Sequence, residues 1–283
     1  MKQGVCLITG ATSGIGRAVA LKLAELGLRL IIVGRNDGKM KKVIGRLERK
    51  TGNKAINSYK CDLSSLRELR NLAGSIRQNH DRIDVLINNA GAKILRYRPT
   101  ADGIESTLAS NHVGHFLLTL LLTDLLAASK HGRVINVSSG AHYGATGVIR
   151  NVKSAEDYDG RKQYAESKLA NVLFTYAVAD KLKDRGISVN AMSPGGVATN
   201  FARNNGLRHW LRHIVYHLLK GELRTPAQGA ETIVYLATSN EVAGATGKYF
   251  EDKKEKRSSD VSYDKANQEA LWAASVEWSK VDL

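Results

Sequence analysis

Val5-Cys6-Leu7-Ile8-Thr9-Gly10-Ala11-Thr12-Ser13-Gly14-Ile15-Gly16-Arg17 is an apolar run that breaks into a glycine-spaced turn and continues as a helical pattern. It reads as strand, phosphate loop and helix. Glycine allows the unusual backbone angles of such a turn and leaves the chain bare enough for a pyrophosphate to approach the helix N-terminus, where free N–H groups and the helix dipole favour an anion. Gly10, Thr12, Ser13, Gly14, Ile15 and Gly16 are the candidate contacts. The spacing is GxxxGxG rather than GxGxxG, and a ligand-free glycine turn is the alternative on this stretch alone.

Outward from this turn, strand patterns alternate with helical ones: 4–9 and 17–26, 28–34 and 38–50, 55–60 and 64–79, 83–88 and 103–128, 132–138 and 161–184, then 186–192 and a late element near 247–250. Alternation of this kind predicts an α/β fold, a Rossmann-like doubly wound parallel sheet with helices on both faces. A ligand would then lie beyond the carboxyl ends of the strands. With one glycine-rich nucleotide turn, residues 1–283 are expected to form one domain.

The hydrophobic content of 43% is enough for a full core. Cys6 in the first strand and Cys61 at the end of the third would be held apart by an intervening strand, so both are expected to be reduced thiols of a cytoplasmic protein. The longest apolar stretch, Phe116 to Ala128, carries Thr119, Thr123 and Asp124 and is too short to span a bilayer. The 42 Lys+Arg exceed 27 Asp+Glu by 15, but the excess is spread. Lys39, Lys41, Lys42, Arg46, Arg49, Lys50 and Lys54 share one helix region, and Lys253, Lys254, Lys256 and Arg257 form a second cluster. No aromatic residues interleave with them for base stacking, so solvated faces are expected rather than a nucleic-acid partner.

Strand two ends in Val33-Gly34-Arg35-Asn36. Where an NAD-binding fold places an acid on the ribose 2′-OH, this chain has Arg35, whose cation suits a 2′-phosphate. Asp37 competes for the position, but Asp37-Gly38 reads as turn and helix-cap chemistry. The expected coenzyme is NADP(H), with Arg35 as phosphate clamp and Ser13, Arg17 or Asn36 assisting. Strand three runs into Cys61-Asp62-Leu63-Ser64, and strand four into Asn88-Asn89-Ala90-Gly91. Each taken alone suits a helix start or a turn.

With Thr9-Gly10-Ala11-Thr12-Ser13-Gly14-Ile15-Gly16, these pieces resemble the short-chain dehydrogenase/reductase family, whose marks are TGxxxGxG, a DL pair after the third strand and NNAG after the fourth. Further marks follow in order: Asn111, Ser139 in Val137-Ser138-Ser139, Tyr164-Ala165-Glu166-Ser167-Lys168, and Ser193-Pro194-Gly195. The resemblance covers nearly the whole chain. It implies coenzyme contacts at Asp62, Leu63, Asn89, Ala90, Gly91, Tyr164, Lys168, Pro194, Gly195, Val197 and Thr199 in addition to the glycine loop, Arg35 and Asn36.

Tyr164 and Lys168 are four apart and share a helix face. A tyrosine with a pKa of about 10 exchanges protons poorly at neutral pH, and a neighbouring ammonium would lower it. The resemblance implies that Tyr164 transfers the proton as general acid or base, Lys168 lowers its pKa and holds the nicotinamide ribose, Ser139 polarises the substrate oxygen and Asn111 supports a water-linked relay. Ser138 is the alternative to Ser139; the family motif ends on the second serine. His112, His115, His131 and His142 show no metal-ligand spacing and are read as structural or surface residues. Ser13 lies in TSGIG rather than GxSxG, so a nucleophile elbow is absent.

Two variable segments flank the expected site. The 24 residues between Ser139 and Tyr164 are rich in Gly, His and Tyr. Residues 197–224 contain an amphipathic, basic stretch with Trp210, Leu211, Ile214, Val215, Leu218 and Leu219 apolar and Arg208, Arg212, His213 and Lys220 polar. A lid over an apolar substrate is the preferred reading; docking on an anionic membrane surface and plain packing stay open. Thr100-Ala101-Asp102-Gly103-Ile104-Glu105, Arg224-Thr225-Pro226-Ala227-Gln228-Gly229-Ala230 and Gly247-Lys248-Tyr249-Phe250 look most like the retinol-dehydrogenase-like branch, with light-dependent protochlorophyllide reductases as near relatives. The expected lack of the N-terminal membrane anchor of retinol dehydrogenases is a departure from that branch, so the expected substrate is broadened to a lipophilic carbonyl or alcohol, retinal/retinol-like, aldehyde, ketone or steroid-like. A non-catalytic NADPH-binding redox sensor is the rival reading. The helix over 115–128 and the Tyr164 helix are the pair that family members use to form oligomers, and periodicity leaves core and interface burial equivalent.

Overall fold

The structure, a computed structural model, describes residues 4–198, 201, 205–206, 211, 215, 218–219, 221 and 223–282. Among them, one eight-stranded sheet carries the fold, in the order β3-β2-β1-β4-β5-β6-β7-β8. The strands are β1 (Val5–Thr9), β2 (Arg29–Gly34), β3 (Ile56–Lys60), β4 (Val85–Asn88), β5 (Arg133–Val137), β6 (Ser188–Met192), β7 (Lys248–Glu251) and β8 (Lys254–Glu255). All pair in parallel except β8, which runs antiparallel to β7.

β1 is flanked by β2 and β4, with Ile8 opposite both Ile32 and Ile87. The chain reverses direction across the sheet at β1 and β4, and the crevice beyond their carboxyl ends is where an open α/β sheet holds a ligand. Both faces of the central strands are buried, which is why these segments read as continuous apolar runs instead of alternating ones. Successive side chains serve opposite faces. Leu7, Ile31, Val33 and Leu86 pack beneath α3 (Leu66–Asn79), α5 (Gly114–Leu121) and α7 (Gly160–Leu182). Cys6, Ile8, Ile32 and Ile87 pack beneath α1 (Gly14–Glu25), α2 (Asp37–Thr51) and α8 (Pro226–Thr238).

Cys6 and Cys61 are free and buried, on β1 and just past β3 with β2 between them. Burial pushes both thiols up, so neither is a ready thiolate. No helix among the described residues is long and apolar enough to cross a membrane.

The structure corrects several expectations. The helix expected over 103–128 is three pieces: α4 (Ser106–Leu108), α5 (Gly114–Leu121) and α6 (Thr123–Ala127). A π-turn at Ala109–Val113 joins the first two, and such turns re-aim side chains at functional sites. Asn36, not Asp37, caps α2: its Oδ1 accepts from Lys39 N at 2.9 Å, and Asp37 is already helical. Two further helices went unpredicted. α8 begins at a Thr225–Gln228 capping box with Pro226 in its first turn, and α9 (Lys265–Ser279) begins at Asp264, which accepts from Ala266 N. β8 is too short to carry a strand pattern.

Candidate active site

The glycine loop is close-packed against the segment after β4. Gly10 and Gly14 have φ of 73° and 53°, the region that favours glycine. A Cβ on Gly16 would lie 2.4 Å from Gly10 O and 2.5 Å from Asn89 Nδ2. Asn89 in turn donates from Nδ2 to Thr9 O at 2.8 Å, and its N–H donates to Thr9 Oγ1 at 3.0 Å. The NNAG segment is thus a brace for the loop that opens the fold.

A cleft of about 2000 Å³ runs past this brace along the carboxyl edge of the sheet. Gly10, Thr12, Ser13, Gly14, Ile15, Gly16, Arg35, Asp62, Leu63, Asn89, Ala90, Gly91, Ser139, Tyr164, Lys168, Pro194, Gly195 and Val197 all line it. Asn36 and Asn111 do not, and Thr199 lies outside the described residues. Asn36 uses its side chain as the α2 cap, and Arg17, an expected helper, also lies off the cleft wall. Lys39, read from the sequence as part of a solvated face, lines the cleft with Arg35; its position one turn into α2 is the signal that was available. Arg35 Nη1 sits 4.0 Å from Asp62 Oδ2. Asp62 also accepts from Ser64 N and Ser64 Oγ at 3.0 and 2.8 Å, which fixes the turn into α3.

α7 brings Tyr164 and Lys168 to the cleft beside Ser139. The Lys168 Nζ lies 5.9 Å from the Tyr164 ring centroid and donates to Val137 O at 2.9 Å. Burial pushes the Lys168 ammonium down to about 8. Burial also pushes the Tyr164 phenol up to about 12, with its hydrogen bond to Ser139 acting in the opposite direction. On Tyr164, burial acts in the direction opposite to the depression expected from Lys168.

The two adjacent serines divide the work. Ser138 is buried and its Oγ donates to Lys168 O at 2.7 Å, tying β5 to α7. Ser139 is only half-buried, faces the cleft, and its Oγ accepts from Ala141 N at 3.2 Å. Asn111 is set by the π-turn and is fully engaged: Nδ2 donates to Ala92 O and Ser167 Oγ, both at 2.9 Å, and Oδ1 accepts from Ala92 N at 2.7 Å. Ser167, inside the Tyr164–Lys168 stretch, was not singled out from the sequence. A Cβ on Gly91 would lie 3.4 Å from both Asn111 Oδ1 and Lys168 Nζ, so the bare backbone there keeps the site open.

Of the histidines, His115 bridges Thr9 Oγ1 and Asn111 O at 3.0 Å each, and His112 Nε2 lies 2.7 Å from Ser275 Oγ on α9. No group able to hold a metal ion occurs among the described residues. The cations of α2 are exposed, and Lys253, Lys256 and Arg257 pair with Glu231, Glu251 and Asp260.

The segment expected as a lid starts and ends at a clasp: Ala198 N donates to Arg224 O at 2.8 Å, and Arg224 N donates to Gly196 O at 2.7 Å. The Arg224 guanidinium pairs with Asp252, with Nη2 to Oδ2 at 3.0 Å. Trp210, Ile214, Arg208, Arg212, His213 and Lys220 lie outside the described residues. Leu211, Val215, Leu218 and Leu219 are exposed.

A family model described as short chain dehydrogenase matches residues 4–209. Human polyprenol dehydrogenase is 37% identical over 284 residues, covering 98% of this chain and 85% of that protein. Human retinol dehydrogenase 14 is 36% identical over 279 residues, covering 94% and 83%. Among solved structures, a protein of Mycobacterium paratuberculosis aligns with a TM-score of 0.78 at 27% identity, covering 99% of this chain and 95% of that one. The motifs, the parallel sheet and these matches agree: the chain belongs to the short-chain dehydrogenase/reductase family of NAD(P)H-using oxidoreductases, and it is similar to the retinol dehydrogenases.

Proposed function

We propose that this protein is an NADP(H)-dependent oxidoreductase acting on a lipophilic carbonyl or alcohol, with Tyr164 as its acid/base. The observation that carries the reading is the convergence of Ser139, Tyr164 and Lys168 on one wall of a cleft whose far end is the glycine loop. The residues present fit a dinucleotide, because Gly10, Gly14 and Gly16 present bare backbone to the same cleft that Arg35 and Lys39 line. Bound there, the nicotinamide supplies the hydride.

The chain's own part is proton transfer and positioning. A phenol held near 12 is fully protonated at pH 7, which suits donation to a carbonyl oxygen during reduction. The Ser139 hydroxyl, beside that phenol, holds the substrate oxygen, and the Lys168 ammonium faces the ring. Arg35 and Lys39 at the cleft mouth offer two cations to a 2′-phosphate. Asn111 acts as a latch that fixes Ala92 and Ser167 around the site. Ile94, Phe201 and Leu223 are apolar residues of the cleft lining, with the Phe201 and Tyr164 ring centroids 5.5 Å apart, and they support a lipophilic substrate. Retinol and polyprenol, named for the relatives, belong to that class.

The test is a panel of lipophilic aldehydes, ketones and alcohols followed at the NADPH absorbance, with NADH in parallel. Turnover of an apolar carbonyl with NADPH preferred is expected. Coenzyme binding without turnover of any member would favour the redox-sensor reading.

A further inference from the structure

Ser139 sits at the mouth of a one-turn helix, Gly140–Gly144, whose third residue is a fully buried histidine. His142 Nδ1 lies 2.7 Å from Ser139 O, and its Nε2 lies 3.2 Å from Ser259 N. The second contact fixes the tautomer. A backbone N–H can only donate, so Nε2 accepts, Nδ1 carries the proton, and that proton goes to the Ser139 carbonyl. Burial lowers the imidazole's pKa, with the Ser139 carbonyl and Glu251 acting the other way, and this keeps the ring neutral at neutral pH.

The ring also makes tilted contacts with two tyrosines. Its centroid is 4.0 Å from that of Tyr143 and 4.9 Å from that of Tyr249 on β7. The segment carrying Ser259 is itself tied down far from the site. Tyr143 Oη donates to Arg257 O at 2.7 Å, and Ser258 Oγ lies 2.6 Å from Tyr176 Oη on α7 and 2.7 Å from Ser262 Oγ. On its other side, Ser138 is anchored to Lys168 O. The serine facing Tyr164 is therefore gripped from both neighbours, upstream by α7 and downstream by the C-terminal segment.

We propose that His142 is a positioning residue for the reaction, a neutral clamp that joins the Ser139 carbonyl to the Ser259 amide and so holds the Ser139 hydroxyl toward Tyr164. This rests on the reading of Ser139 and Tyr164 given above. The clamp predicts an inversion between stability and rate. In His142→Phe an aromatic ring still packs against Tyr143 and Tyr249 but the bond to Ser139 is gone. In His142→Asn the ring contacts and the Ser259 bond are lost, while Asn Nδ2 takes the place of Nδ1 and can still donate to Ser139 O. His142→Gln can reach only Ser259.

The experiment measures kcat and coenzyme KM with NADPH and nonanal, melting temperature, and a long-range 1H–15N spectrum of the wild-type imidazoles. Displacement of a polarising group by an ångström or so costs about 10- to 100-fold in rate, so His142→Phe and His142→Gln are expected to lose that much in kcat with coenzyme KM unchanged. His142→Asn, which keeps the Ser139 bond without its tie to Ser259, is expected to recover part of the rate although it melts lowest. An Nε2-protonated His142, full activity in the Phe variant, or rates that rank with melting temperature would each overturn the proposal. Ser139→Ala separates the two claims: slow Ser139→Ala with fully active His142→Phe defeats the clamp alone, whereas fully active Ser139→Ala defeats the underlying reading.

Discussion

Two histidines buried beside the site make this fold acid-labile, by an amount that can be worked out. Burial pushes His112 down to about 4. Burial also lowers His115 to about 3, with Lys168 and His112 adding to the effect and the Asn111 carbonyl opposing it. In the unfolded chain both titrate near 6.5, so between pH 6.5 and their folded values the unfolded state binds more protons, and stability falls as pH falls. Above pH 6.5 neither histidine costs anything. At pH 5 linkage gives a loss of about 2 kcal/mol for each, about 4 kcal/mol together, which is a large share of a typical folding free energy of about 5–15 kcal/mol. His112→Gln places an amide near Nε2, within reach of Ser275 Oγ, and removes the titration. Urea unfolding followed by circular dichroism at pH 8 and pH 5 should show the wild type losing about 2 kcal/mol more than the variant across that interval. An identical pH dependence in the two proteins would refute the argument, because it would mean that His112 does not change its protonation on folding.

Other consequences follow from the same geometry. Gly16→Ala drives a Cβ into Gly10 O and Asn89 Nδ2, so it should lower the melting temperature on the order of 5 °C and weaken NADPH binding measured by fluorescence titration. Gly45→Ala, mid-helix with nothing within 4 Å of a Cβ, should raise stability by about 0.5–1 kcal/mol. Arg35→Asp should reverse coenzyme preference, with kcat/KM for NADPH falling about 10- to 100-fold and that for NADH maintained or raised, as expected for loss of one charge-assisted contact. Ser138→Ala should cost about 1 kcal/mol in a denaturant melt and lower turnover less than Ser139→Ala does, and Ser139→Ala should lower turnover with little change in the melt.

What the sequence made legible was the part of the molecule held by backbone rules. The glycine loop, the parallel alternation and the carboxyl-end segments Cys61-Asp62-Leu63 and Asn88-Asn89-Ala90-Gly91 all follow from residues whose spacing has a local cause. The start of α8, Thr225-Pro226-Ala227-Gln228, is a capping box and carries a local helix signal beside its family resemblance. The break at Ala109–Val113 leaves no sequence mark, since Ala-Ser-Asn-His-Val holds no Gly or Pro to interrupt a helix. The ionisation of Tyr164 depends on tertiary burial, which Tyr164–Lys168 spacing does not report. The pairing of His142 with Ser259 spans 117 residues and depends on where the C-terminal segment returns to the sheet.

The central claim is that the Tyr164 phenol delivers the proton to a substrate oxygen held by Ser139. Tyr164→Phe removes one oxygen atom and leaves the ring beside Phe201 and Lys168. Single-turnover reduction of a lipophilic aldehyde by the NADPH-loaded variant tests the claim most directly. The account predicts a rate lower by about 10²- to 10⁴-fold with NADPH affinity retained. Wild-type turnover by the folded variant would contradict it.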